Sequence, residues 1–92
     1  MSTFATALDP LRRRMERIKL PESFVRELLV PATTISLNDA AMRWAGMPNK
    51  HERSLTIEVF FALAEWGFLA PRADGRYRVL YDADADPAAD RR

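Results

Sequence analysis

A chain of 92 residues, 48% hydrophobic and 29% charged, suits one small domain with one core, and no apolar run nears the roughly 20 residues that a membrane span needs. No cysteine, a single histidine (His51) and three scattered glycines leave no thiolate zinc site, disulfide, phosphate loop or nucleophile–base pair, so neither metal, cofactor nor enzymatic activity is expected. The net charge of +1 hides an asymmetry: residues 1–81 hold twelve Lys and Arg against nine Asp and Glu, and residues 82–92 hold two against four. Such a balance permits nucleic-acid binding without demanding it.

Residues 1–7 are small and polar and are expected to fray. Asp9-Pro10 then reads as a helix entry, with Asp as the cap and Pro preorganised at the first helical position. In the helix that follows, to about Lys19, Leu8, Leu11, Met15 and Ile18 recur at three- and four-residue steps as a narrow seam. That seam either packs on the domain's own core or forms a homodimer contact. Its arginine run either touches phosphate or is the helix's solvated face.

Pro21 opens a second helix to about Val30, with Phe24, Val25, Leu28 and Leu29 inward, and Pro31 stops it. Thr33, Thr34 and Ile35 are β-branched and predict a short strand. Ser36-Leu37-Asn38-Asp39 caps a third helix in which Leu37, Ala40, Ala41 and Trp44 share a face, and Gly46 ends it. The turn Gly46-Met47-Pro48-Asn49 leads into a long helix over residues 50–66, opened by the N-x-x-E pair of Asn49 and Glu52 and closed by Gly67. Its Leu55, Val59, Ala62, Leu63 and Trp66 fall on one face. Its first turns are polar and basic on the outer side, whereas Phe60, Phe61 and Ala64 make its last turns apolar nearly all round, a pattern that predicts burial there.

Beyond Gly67 the period becomes two. Residues 68–72 and 76–81 predict a hairpin joined through Ala73-Asp74-Gly75, and Pro71 places the first strand at an edge. Residues 83–92 hold nothing apolar larger than alanine and proline and are expected to be disordered.

The order helix, short strand, helix, tight turn, long helix, hairpin resembles the winged helix-turn-helix superfamily, and does so over residues 21–82. The segments SLNDAAMRWAG, MPN and ALAEWGFLAPRADGRYRVL carry the likeness. It implies a mainly α fold with a small β-hairpin (α+β), here with an additional N-terminal helix in residues 1–20 and an acidic tail in residues 83–92. It further implies a non-enzymatic protein that binds double-stranded DNA, a transcriptional regulator in which the N-terminal half of helix 50–66 reads the major groove. The cytoplasm is the compartment expected from a sequence with no membrane-span or signal-peptide pattern.

Carried over by position, Lys50, His51, Arg53, Ser54 and Ile57 would face the groove, Arg72, Arg76 and Arg78 would put the wing on the backbone or minor groove, and Arg43 would reach a phosphate. Plainer roles exist for several of them. His51 at a helix start is more often a solvated residue than a base reader, Arg53 reads equally as a partner of Glu52 or Glu58, and Trp44 and Trp66 read as core. The competing function is a winged-helix module that binds a protein partner through Ile57 and Phe61 and does not bind DNA.

Overall fold

The computed structural model describes residues 2–91. Its centre is α5 (Lys50–Glu65), and the local chemistry explains both ends of that helix. The Asn49 side chain accepts from the Glu52 backbone N–H at 2.8 Å, and Glu52 Oε1 accepts from the Asn49 N–H at 2.8 Å, so two N–H groups that a helix start leaves unpaired are both satisfied. Gly67, at φ 91°, then turns the chain out of the helix. Asn49→Ala removes half of the reciprocal pair. We expect it to cost about 1 kcal/mol, which a thermal melt would record as a Tm lower by roughly 4–8 °C.

Leu55, Thr56, Val59, Phe60 and Leu63 of α5 are buried. On one side of them lies α4 (Leu37–Ala45), opened by Ser36, whose side chain accepts from the Asp39 N–H at 3.0 Å. Ala40 and Ala41, both buried, are small enough for the two helices to approach closely. The Trp44 indole N–H donates to Thr56 Oγ1 at 3.1 Å, and the Thr56 hydroxyl donates to the Glu52 carbonyl at 2.8 Å, which fixes α4 on the first half of α5.

Three strands form one antiparallel sheet in the order β1 (Thr34–Ile35), β3 (Tyr77–Val79), β2 (Leu69–Pro71). The strand expected at Thr33–Ile35 thus joins the hairpin, and Pro71 sits on an edge strand, where its missing N–H breaks no ladder. Tyr77 and Val79 point to the core, and Arg78 between them points to solvent. Tyr77 meets Phe60 edge to face at 5.2 Å, so the sheet is rooted on α5. The architecture is α+β, and no helix among the described residues is long and apolar enough to cross a membrane.

The N-terminal residues depart from expectation. The fraying expected of residues 1–7 is corrected for those described, Met1 lying outside them: α1 (Thr3–Leu8) is capped by the Ser2 side chain, which accepts from the Ala5 N–H at 3.0 Å. Phe4 is fully buried, its ring edge-on to Phe68 at 6.1 Å. Nor does Asp9 cap a new helix, because the chain before it is already helical. Proline has no N–H to continue the ladder, so Asp9–Leu11 forms a 3₁₀ turn between α1 and α2 (Arg12–Ile18). Leu8, Leu11 and Met15 are buried, with Ile18 packed against them, so the seam packs within the chain.

Arg12 is ion-paired with Glu22 at 2.7 Å and Asp9 at 2.9 Å, and these carboxylates, Glu22 foremost, raise its pKa. The helix α3 (Glu22–Leu28) follows, with Val25 and Leu28 inward.

The expected disorder of residues 83–92 is also corrected for those described. Ala83 and Pro87 are buried, Asp84 pairs with Arg26 at 2.7 Å, and the Thr3 hydroxyl donates to Asp86 at 2.9 Å. A 3₁₀ turn, Pro87–Arg91, ends the described chain. The tail therefore lies along α1 and α3. Two small apolar anchors and two partnered aspartates hold it.

Candidate nucleic-acid interface

Because α5 begins at an exposed turn, its first residues project into solvent. Lys50, Arg53 and Ser54 line one shallow depression with Pro48 and Ile57. A second depression joins His51 to Asn49 and Glu52 and to Arg17 and Ile18 of α2. Arg17 was legible in the sequence only as one member of a charged run. Its approach to His51 comes from the seam of α2 packing on α5.

The carboxylates near Arg53 are engaged elsewhere. Glu52 is in the capping pair and Glu58 is bound by Arg14 of α2. The Arg53 side chain makes one hydrogen bond among the described residues, from Nε to the Pro48 carbonyl at 3.3 Å, and no ion pair. Lys50 and His51 are likewise exposed and unpaired among the described residues. The alternative role of Arg53, pairing with Glu52 or Glu58, is therefore not taken up among the described residues. A guanidinium is left at the helix start, where the positive end of the helix dipole also favours an anion.

A second cationic group lies on the hairpin. The register sets Arg78 beside Ala70 and Thr34, and the Arg72 N–H donates to the Arg76 carbonyl at 2.8 Å, so Arg72 and Arg76 stand opposite each other. By the two-residue alternation, Arg72, Arg76 and Arg78 share the solvent face of the sheet. Like charges directly opposite on a sheet are destabilising.

Among the described residues, the carboxylate that pairs with this group is Asp74 at the turn. It accepts from the Arg76 backbone N–H at 3.0 Å and lies 3.4 Å from Arg72 Nε. That N–H, and after it the charges of Arg72 and Arg76, hold the Asp74 pKa below its ordinary value. One aspartate against three arginines leaves this face positive. No protein-family model, curated protein or solved structure matches the chain.

Arg43 does not join the group at the start of α5. Its guanidinium lies over the Phe24 ring at 5.6 Å, in a depression shared with Leu28, Thr34, Ile35, Ser36 and Asp39. The other edge of α4, at Asn38 and Ala41, is the one that borders Arg53 and Ile57.

Two aromatic expectations are corrected. Trp66, expected in the core, is 40% exposed because it caps α5 and the stripe runs one position past the residues the core covers. Phe61, expected under cover, is 60% exposed, and Ile57 one turn before it is 39% exposed. Both lie in line with Lys50 and Ser54, so the outer stripe of α5 changes from cationic to apolar along its length.

Proposed function

We propose that the chain is a small non-enzymatic DNA-binding protein of the winged helix-turn-helix type, a transcriptional regulator. In this reading α5 enters the major groove by its N-terminal half, and the β2–β3 hairpin is the wing on the backbone or minor groove. The observation that carries it is Arg53: an exposed guanidinium at the start of a docked helix, with both neighbouring carboxylates committed elsewhere.

The arrangement suits the chemistry. Arg53 can pair with the two acceptors of guanine, Ser54 can donate to or accept from a base edge, and Ile57 can meet a thymine methyl. Lys50 and His51 would face phosphate. The arginines of the hairpin add sequence-independent attraction, and Trp44 on Thr56 supplies the fixed angle between α4 and α5 that a groove-reading helix needs.

The test is fluorescence anisotropy of the protein titrated into a labelled mixed-sequence duplex at low and at physiological salt. Binding is expected, with log K falling against log salt by about 0.9 for each phosphate neutralised. No binding at low salt would overturn the proposal.

That outcome would favour a second reading, a winged-helix module for a protein partner. The exposure of Ile57 and Phe61 at adjoining turns of α5 supports it.

A further inference from the structure

The four arginines of α2 do not share one fate. Arg12 is held by Glu22 and Asp9, and Arg14 by Glu58 of α5. Arg13 and Arg17, four positions apart, are exposed and have no ion pair among the described residues. Like charges at that spacing lie on adjoining turns and repel. Glu16 between them is exposed, with no ion pair among the described residues either.

The packing fixes where the two cations lie. Leu11, Met15 and Ile18 face the core, and Arg14 at the edge of that face grips Glu58. At 100° per residue, Arg17 follows Arg14 outward on the same flank, and Arg13 follows it round to the back of the helix, facing away from the core. That flank is the one beside the start of α5, since Arg17 borders His51 and Asn49. Lys19 is on the opposite flank, in a depression with Met15, Glu16 and Leu20.

We infer that α2 is a third element of the DNA interface, in which Arg13 and Arg17 bind the phosphate backbone alongside the groove that α5 enters. This rests on the DNA-binding reading above. A duplex lying on Lys50 and Ser54 would carry its backbone past His51 towards α2, where the two unpaired guanidinium groups stand. Their contribution is to affinity and register and not to base preference, because phosphate carries no sequence information.

The probe is again the labelled mixed-sequence duplex, with the full chain. Arg13→Ala/Arg17→Ala is expected to lower the salt slope by about 1.8, two phosphates at about 0.9 each, and to weaken binding at physiological salt by roughly ten-fold or more. Its Tm should hold or rise slightly, because both side chains are solvated and their mutual repulsion is removed. Arg13→Lys/Arg17→Lys should restore most of the slope, since Lys also neutralises a phosphate.

A parent protein that fails to bind would overturn the underlying reading. A parent that binds, with the double alanine variant showing the same slope and affinity, would overturn only the role of α2. So would a loss per charge that is just as large for Lys19→Asn on the opposite flank, because bulk charge would then explain both.

Discussion

Phe4→Ala is expected to destabilise the protein by about 3–5 kcal/mol, the usual cost of emptying a fully buried aromatic site. For a domain of this size, whose whole stability is of order 5–15 kcal/mol, that is a large share, and the Tm should fall by about 12 °C or more. Two ring contacts would be lost together. The ring meets Phe68 edge-on at 6.1 Å, and the Arg26 guanidinium lies 5.2 Å from its centroid. A frayed arm would give the opposite result, a change within about 0.5 kcal/mol, as for a solvated site. Thermal unfolding followed by far-ultraviolet circular dichroism distinguishes the two.

The second large effect is on binding. Arg53→Ala removes the candidate base contact and should weaken a preferred site by about 1–3 kcal/mol, which is roughly five- to 150-fold. Arg76→Ala removes a backbone contact and should lower the salt slope by about one. The residues are on separate elements, so the double variant should lose close to the product of the two effects. Stability gives an independent check. Arg76 faces Arg72 across the hairpin, so its removal relieves a repulsion and the Tm should hold or rise while DNA binding weakens. Unchanged affinity in both single variants would remove α5 and the hairpin from the interface.

Much of the fold was legible because it is locally determined. The capping pair at Asn49 and Glu52, the Ser36 cap and the Asp74-Gly75 turn each involve residues within a few positions of one another, and all three formed where expected. The alternation of Tyr77, Arg78 and Val79 likewise gave the inward and outward faces of β3.

What escaped depends on distant partners. Thr3 and Asp86 are 83 positions apart and Arg26 and Asp84 are 58 apart, so neither end of the chain could be seen as ordered from its own composition. Periodicity told which residues share a face of α5 but not whether anything covers it, hence the exposed Phe61 and Trp66. The candidate site divides the same way. Exposure of Lys50, His51 and Arg53 follows from the helix start, whereas the release of Arg53 from Glu58 required Arg14 to arrive from α2. The outward direction of Arg43 was legible too, but the edge of α4 on which it lies was not.

The clasp between the chain's two ends has a kinetic meaning. Its ion pair and its hydrogen bond are both exposed, whereas α4 and α5 are held by buried contacts close in sequence. The tail from Ala83 onward is thus a separate opening unit, one that can detach and reclose while α1, rooted by the buried Phe4 and Leu8, and the centre stay folded. Backbone amides near Ala88 would exchange with solvent well before those of α5. Because added salt screens Arg26 from Asp84, it would hasten that exchange selectively.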